Sequence, residues 1–284
     1  MKWLLPILAL VCSVASPAWE GRQSASAPAA PKSASESAPA APVDPDARKA
    51  KALIDQAIEA LGGQTYLTIR DREQTGRSYG FHHGRSSGSG ALFWLFSEFP
   101  DKERFEITKE RDIAELYVGD KAWEITYKGA KPLEKKDLED YMRRRRFSLE
   151  TVLRSWANDP RVVVLYMGNA IAGQHSALQV TLINPQNEAV NLFFDVDTHL
   201  PVKKSFEWRD PVDRQKNLEE EIYENYREVS GVMTPYNVTR YFNGDMSNER
   251  FLFTATINQG LDETMFDPHS SYNPNKPPDK RKSK

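Results

Sequence analysis

Apolar and polar residues alternate along most of the chain beyond residue 65, and this period of two predicts β-strands. The clearest case is a hairpin over residues 189–208, in which alternate side chains of each arm share one face. These side chains are Val190, Leu192 and Phe194 in the first arm, and Val202, Lys204, Phe206 and Trp208 in the second. Asp195, Asp197 and Thr198 lie between the arms, where such residues bond their own backbone in turns. The pattern predicts an antiparallel sheet.

Similar segments precede and follow the hairpin, separated by turn residues such as Gly, Pro, Asp and Ser. They cover residues 66–81, 90–99, 103–109, 113–118, 121–127, 161–167, 177–184, 217–229, 232–243 and 249–258. Residues 91–96 are apolar on both faces, so each face needs cover. One face can line a barrel interior while the other lies under a helix, or the segment can belong to the core of an ordinary sandwich.

Helical spacing of apolar residues occurs in two places. Residues 46–61 predict an amphipathic helix that ends at Gly62-Gly63, and its apolar stripe must dock on another surface. Residues 133–157 predict two short helices with a run of four arginines between their apolar sets. The apolar residues of these helices include Ile54, Ile58 and Leu61 in the first, Met142 in the second, and Leu149, Leu153 and Trp156 in the third.

Neither pattern occurs at the two ends of the chain. Residues 1–18 carry a positive charge at Lys2, continue as an apolar run and end in small residues, which predicts a cleavable signal peptide and export to the periplasm. Lipid attachment at Cys12 is the less favoured alternative, because Val11 stands where a small residue is expected. Residues 19–45 are rich in Ala, Ser and Pro and predict a disordered linker, acting as a tether or a passive tail. Residues 268–284 predict a disordered basic tail.

Composition excludes several classes of function. The chain has 284 residues and a net charge of −2, so nothing overall indicates a nucleic-acid partner. Cys12 is the only cysteine and lies in the predicted signal peptide, so the processed chain would lack disulfides, cysteine catalysis and cysteine-ligated metals. No phosphate-binding loop or dinucleotide fingerprint occurs, and we expect no cofactor.

Conventional catalytic and metal-binding patterns are also missing. The histidines lack metal-ligand spacing, so we predict no metal site. They are His82, His83, His175, His199 and His269. Residues 219–221 are three successive glutamates that alternate between the two faces of a strand, which indicates a solvated edge rather than paired acid and base. No nucleophile–base pair stands out, so a hydrolase is the least supported class.

The remaining candidates are apolar and aromatic. A curved sheet lined by them can hold an apolar ligand, although the same residues can simply fill a core. The cavity candidates are Phe93, Trp94, Leu95, Phe96, Trp123, Val190, Leu192, Phe194, Phe206, Trp208, Tyr236, Phe251 and Phe253. A second set can contact phosphate or acidic lipid headgroups, or else form a solvated basic face. That set is Arg143, Arg144, Arg145 and Arg146.

The order of these elements resembles a known family. A helix ending in Ala-Leu-Gly-Gly at 60–63 leads into a strand meander with a helical insertion. Two sequence motifs follow the insertion. They are a Phe-Asp-x-Asp-Thr-x-Leu-Pro hairpin at 194–201 and Tyr-Arg-Glu-Val-Ser-Gly-Val-Met-Thr-Pro at 226–235. Together with a closing strand around Ile257-Asn258, this resembles the outer-membrane lipoprotein-sorting proteins of the LolA/LolB-like superfamily. The resemblance covers about residues 46–267.

The resemblance implies a mainly β fold with α-helices (α+β). We expect an incomplete, strongly curved antiparallel β-barrel of about 11 strands, with helices 46–61 and 134–157 as a lid. It also implies a non-catalytic periplasmic protein that binds lipid or lipoprotein acyl chains in outer-membrane trafficking. Its partners would be lipid, acylated lipoprotein and a membrane-associated protein. The alternative is an envelope interaction or scaffold module with a filled core.

Overall fold

One fourteen-stranded antiparallel sheet organises residues 45–270 and 272–275, which the computed structural model describes. Its strands are β1 (Asp71–His82), β2 (Arg85–Ser86), β3 (Ala91–Glu98), β4 (Lys102–Ile107), β5 (Ile113–Val118), β6 (Lys121–Thr126), β7 (Gly129–Pro132), β8 (Val163–Ala172), β9 (His175–Ile183), β10 (Ala189–Asp195), β11 (Pro201–Arg209), β12 (Lys216–Val229), β13 (Val232–Phe242) and β14 (Asp245–Ile257). The predicted signal peptide, Cys12 and the 19–44 part of the linker lie outside the described residues.

The sheet is an open meander with one change of order. Its strands follow the sequence β7-β6-β5-β4-β3-β1-β14-β13-β12-β11-β10-β9-β8, and β2 pairs with β1. Strand β1 therefore joins the two halves of the chain, between β3 and β14. Within the described residues β7 and β8 are the two free edges, so the sheet does not close. The predicted incomplete antiparallel barrel is confirmed.

Two differences from the predicted strands have local causes. The structure has fourteen strands rather than about 11, and it includes β2 and β7, which are too short to show an alternating pattern. The strand predicted from Tyr66 begins only at Asp71, because Gln64–Leu67 continues the chain as a helical turn. In that turn the amide of Thr68 donates to the carbonyl of Gln64 at 3.0 Å.

Four helices accompany the sheet. They are α1 (Pro45–Leu61), α2 (Gln64–Leu67), α3 (Lys135–Arg146) and α4 (Leu149–Arg154), and a 3-10 turn, Trp156–Asn158, follows α4. The side chain of Ser148 accepts a hydrogen bond from the amide of Thr151, which fixes the start of α4. The two short helices predicted around the arginine run are therefore present. None of the described helices is long and apolar enough to span a bilayer.

Helices α1 and α4 cover part of one face of the sheet, which we call the inner face. Their apolar stripes pack with inward residues of β9 to β11 in the main core. Fully buried members include Ile54, Leu61, Leu153, Leu182, Leu192 and Phe194. Burial of each such side chain contributes about 1.5–3 kcal/mol. In contrast, α3 has no buried side chain. The part of the inner face that β9 to β11 form, which we call the filled half, is thus packed.

The opposite, outer face of β3 to β6 is covered by the end of the chain. Met265 and Phe266, in a 3-10 turn at Glu263–Phe266, pack with Phe96 and Leu116 in a second core cluster. Tyr272 also packs against this cluster. The predicted tail beyond 275 lies outside the described residues.

A buried ion cluster lies beneath this C-terminal cover. The fully buried Glu106 accepts from Arg104 and Arg111, each at 2.6 Å. The two guanidiniums also donate to the carbonyls of Met265 and Pro274, at 3.1 and 3.3 Å. The cluster therefore ties the chain end to β4.

Replacing this central carboxylate should strongly destabilise the fold. We expect Glu106→Gln to lower the free energy of unfolding by about 3 kcal/mol or more, because it leaves two buried guanidiniums without an anion. Urea unfolding measures the loss. The control Glu124→Gln breaks a surface pair with Lys131 and should have little effect. Equal, small losses in both variants would contradict this assignment.

Candidate ligand cavity

The middle of the sheet, on its inner face, borders a cavity of about 580 Å³. It lies between the inner side of β1, β3, β4, β13 and β14 and the helical segments α2 and α4. Its apolar lining includes Leu61, Tyr66, Leu67, Ile69, Phe93, Leu95, Phe99, Leu149, Val232, Val238, Leu252 and Ile257. The volume lies within the range of about 300–1,000 Å³ that is typical of ligand pockets.

Three polar atoms beside this apolar lining have no hydrogen-bond partner among the described residues. They are the hydroxyls of Tyr66 and Ser97 and Nε of Arg72. All three residues line the cavity. Burial raises the pKa of Tyr66, so its hydroxyl stays protonated and able to donate. These atoms can hydrogen-bond to a polar group of a ligand.

A row of three charged side chains crosses the inner face. Lys204 on β11 is directly opposite Glu221 on β12, which is directly opposite Arg240 on β13. Glu221 accepts from Lys204 at 2.9 Å and from Arg240 at 2.7 Å. Burial alone raises the pKa of Glu221, but these cations and the Tyr223 hydroxyl hold it well below its usual range. Glu221 is therefore an ionised carboxylate that is already paired with two cations.

A second ion pair links the sheet to helix α4. Arg72 on β1 donates to Glu150 at 2.8 Å. Burial raises the pKa of Glu150, but the charge of Arg72 and hydrogen bonds lower it more, so the net pKa lies below the usual value. Both residues line the cavity, so this pair places one positive and one negative charge in its wall.

A larger open groove of about 2000 Å³ lies outside the cavity. Helix α3 and strands β11 to β13 form much of its wall. Five residues line both spaces, and we call them the neck. The neck consists of Phe105, Arg144, Glu221, Arg240 and Arg250.

The four predicted headgroup arginines have different environments. Arg143 pairs with Asp140 and Glu219, and its guanidinium lies 3.5 Å from the ring centre of Trp208. Arg145 donates to the carbonyl of Asp101 at 3.2 Å, and Arg146 donates to Glu188 at 2.5 Å. Arg144 makes no hydrogen bond or ion pair with any described residue. Arg144 is thus the arginine of this run that lies at the neck and has no side-chain partner among the described residues.

The predicted cavity residues divide into three groups by location. Phe93 and Leu95 line the cavity. A second group lies in the filled half of the inner face, where Trp208 also borders the groove. This group contains Val190, Leu192, Phe194, Phe206 and Trp208. The predicted lid residues of α1, α4 and the following 3-10 turn lie in the same core, whereas Met142 of α3 borders the groove. These core residues are Ile54, Ile58, Leu61, Leu149, Leu153 and Trp156.

The third group does not reach the cavity. Trp94, Phe96 and Trp123 belong to the outer cluster, since alternate residues of a strand face opposite sides. Phe251 contacts Tyr79 edge to face, and Phe253 is 55% exposed. Tyr236 is buried beside Arg227, whose guanidinium lies 4.4 Å from its ring centre.

The predicted hairpin at residues 189–208 is present, but one of its side chains lies on the other face of the sheet from the one predicted. Its turn is held by Asp195, which accepts from the amides of Asp197 and Thr198 at 3.2 and 2.9 Å. A register shift between Phe193 and Phe194 places Val202 with Phe193 in a small separate cluster. Val202 therefore does not share the face of Phe206, because an irregularity in the ladder reverses the alternation.

Sequence patterns missed the charged half of the site. The glutamates 219–221 were interpreted as a solvated edge, but β12 lies between β11 and β13, and Glu221 is buried between two cations. Arg72 and Arg240 gave no signal either, because their partners, Glu150 and Glu221, come from other elements of the fold. The described residues contain no group of three His, Cys, Asp or Glu side chains that could hold a metal.

Comparison with known proteins identifies the fold. No protein-family model matches the sequence, and no curated protein matches it. A DUF1329 family protein from Desulfovibrio piger ATCC 29098 is similar in structure, with a TM-score of 0.54 and 13% identity over 77% of this chain and 97% of that one. A domain described as an outer-membrane lipoprotein-sorting protein, from Vibrio parahaemolyticus, gives a TM-score of 0.52 and 13% identity over 78% and 97%.

The chain has a LolA-like fold. The resemblance found in the sequence is therefore confirmed for the architecture. A LolA superfamily protein from Nitrosomonas europaea also aligns, with a TM-score of 0.48 and 15% identity over 76% of this chain and 96% of that one. At these identities the LolA-like similarity establishes the fold alone.

The pKa of Glu221 leads to a pH-dependent stability. A carboxylate whose pKa is depressed on folding stabilises the protein above its unfolded-state pKa, about 4.3, and loses that contribution as the pH falls further. The difference in unfolding free energy between the wild type and Glu221→Gln should therefore be largest above about pH 5 and shrink towards about pH 3.

Urea unfolding at several pH values measures this difference. The other carboxylates are present in both proteins, so their contributions to the pH dependence of the unfolding free energy largely cancel. The control Glu207→Gln breaks a surface pair with Lys216 and should change stability little. A Glu221→Gln difference that is constant from neutral to acidic pH would rule out the assigned pKa shift.

Proposed function

We propose that the protein is a non-catalytic periplasmic binding protein for lipid or lipoprotein acyl chains, acting in outer-membrane lipid or lipoprotein trafficking. The observation that carries the proposal is the cavity of about 580 Å³, which is lined by apolar residues beside charged ones and shares the five neck residues with the groove. An acyl chain buried there gains roughly 0.8 kcal/mol for each CH₂ removed from water. The predicted signal peptide supports the periplasmic location, and the LolA-like fold supports the class of ligand.

Helix α3 is the part of the structure best suited to act as a lid. It borders the groove but buries no side chain, whereas α1 and α4 belong to the core. Its contacts are ion pairs and aromatic stacking, such as Tyr141 on Tyr117 with ring centres 3.5 Å apart. Displacing α3 would therefore expose little apolar surface to water. We propose that cargo enters beneath α3, delivered by a membrane-associated partner or by the membrane itself.

A second candidate function, an envelope protein-interaction module, is supported by the edge strand β8. Several of its residues are apolar and exposed, which is unusual for an edge strand. They are Val163, Leu165, Met167 and Ile171. Pull-down from envelope extract with wild type and with Leu165→Lys tests this role. Partner capture that depends on Leu165, together with no lipid binding, would favour this candidate over the first.

Two adjacent residues of β14 allow a matched test of lipid binding. Leu252 lines the cavity, whereas Phe253, which does not line it, is 55% exposed. In the delipidated protein we expect saturable binding of a hydrophobic fluorescent probe, displaced by a long-chain fatty acid. Leu252→Asn should weaken probe affinity about tenfold, because it removes the burial contribution of one leucine.

Fluorescence titration measures both affinities, and thermal unfolding confirms that each variant is folded. The control Phe253→Asn should bind the probe as the wild type does. Absence of saturable binding in the wild type would refute the proposed function. Equal weakening by both substitutions would place the binding site elsewhere.

A further inference from the structure

Three guanidiniums frame the neck between the groove and the cavity. Arg144 comes from α3, Arg240 from β13 and Arg250 from β14, and all three border both spaces. The one carboxylate of the neck, Glu221, is already bound by Lys204 and Arg240. A ligand that extends from the groove into the cavity must therefore pass a cluster of positive charge.

Two of these arginines have no partner. Arg144 and Arg250 make no hydrogen bond or ion pair with the described residues. Burial and the neighbouring Arg240 lower the pKa of Arg144, and the same causes lower the pKa of Arg250 to about 10. Lowered values mean that the surroundings disfavour the positive charge, which an added anion would stabilise.

No described carboxylate forms an ion pair with Arg144 or Arg250. Glu103, on the inner side of β4, is the nearby carboxylate without a hydrogen bond or ion pair among the described residues. Burial raises the pKa of Glu103 despite the charge of Arg250, which favours its neutral acid. Glu103 is therefore a poor counter-ion for the neck arginines.

The same strands that carry the arginines also carry the apolar wall. On β14, Leu252 borders the cavity and Arg250, two residues away on the same face, borders the neck. On β13, Val238 and Arg240 repeat this arrangement. Each strand thus presents an apolar residue on the cavity side and a guanidinium at the neck. This order matches a molecule with an apolar chain and an anionic head.

We propose that the neck, through Arg144 and Arg250 with Arg240 beside them, binds the phosphate or carboxylate headgroup of an amphiphile whose chain occupies the cavity. This rests on the proposed lipid-binding function and adds the class of headgroup. Guanidinium groups suit both anions because they donate paired, charge-assisted hydrogen bonds to two oxygens. The buried setting strengthens such bonds because water screens them less.

Three probes separate the contributions of chain and head: dodecyl phosphate, dodecanol and inorganic phosphate, each below its aggregation concentration. Competition against the fluorescent probe and calorimetry give the affinities. The wild type should bind dodecyl phosphate at least about tenfold more tightly than dodecanol, since charge-assisted hydrogen bonds are the strong ones. Inorganic phosphate, lacking the chain, should bind far more weakly.

The variant Arg144→Gln with Arg250→Gln should lose this preference for dodecyl phosphate while keeping the affinity for dodecanol. The control Arg161→Gln removes an exposed arginine that lines neither space and whose partner is Asp159, and it should keep the preference. The double variant should also unfold at the same temperature as the wild type or higher, because it removes two unpaired, partly buried charges. This separates a ligand-binding role from a structural one.

Each alternative result has a definite meaning. Equal affinity of the wild type for dodecyl phosphate and dodecanol overturns the headgroup site and leaves the lipid-binding function standing. Binding of neither amphiphile overturns both proposals. Inorganic phosphate bound as tightly as dodecyl phosphate would show a site for a free anion and overturn the amphiphile. A preference that survives in the double variant would place the headgroup on other residues.

Discussion

A curved sheet has an inner face that needs cover, and in this protein the helices cover only half of it. Helices α1 and α4 insert their apolar stripes against β9 to β11, and this packing forms the main core. Nothing equivalent lies on the inner face of β1, β3 and β14, because α2 is a single turn and α3 buries no side chain. The cavity is a direct consequence of this imbalance, and its place follows from where the helices dock.

The uncovered half of the inner face is built from charges as well as apolar residues. Lys204, Glu221 and Arg240 form a cross-strand row, and Arg72 binds Glu150 on α4. Such buried pairs contribute little net stability, because removing ions from water offsets most of their attraction. An inner face that is charged where it is open is better explained by contact with a polar or charged part of a ligand.

The sequence predicted the local structure well because local structure depends on periodicity. The hairpin at 189–208, the helix ending at Gly62 and the two short helices around the arginine run all appear in the structure. The two-faced segment 91–96 is also correct, with Phe93 towards the cavity and Phe96 under the 3-10 turn that contains Phe266. Periodicity tells which residues share a face, and this was enough for the fold class.

Periodicity does not tell which face receives the helices, nor which strands are neighbours, and the site depends on both. Glu221 resembled a solvated glutamate because Lys204 and Arg240 are distant in sequence and become its partners only through the register of β11, β12 and β13. Val202 was assigned to the wrong face because a register shift beside Phe194 cannot be recognised from alternation. Charged strand residues are thus informative only once their cross-strand partners are known.

The four arginines of α3 are identical in sequence, but their different partners give them different roles. Successive residues of a helix point in directions about 100° apart, so four adjacent arginines cannot all face one site. Arg143 and Arg146 lie three residues apart on one side and bind Glu219 and Glu188, which holds α3 over the groove. This leaves Arg144 at the neck with no carboxylate partner among the described residues. The same contacts that hold α3 in place therefore leave one guanidinium available to an anion.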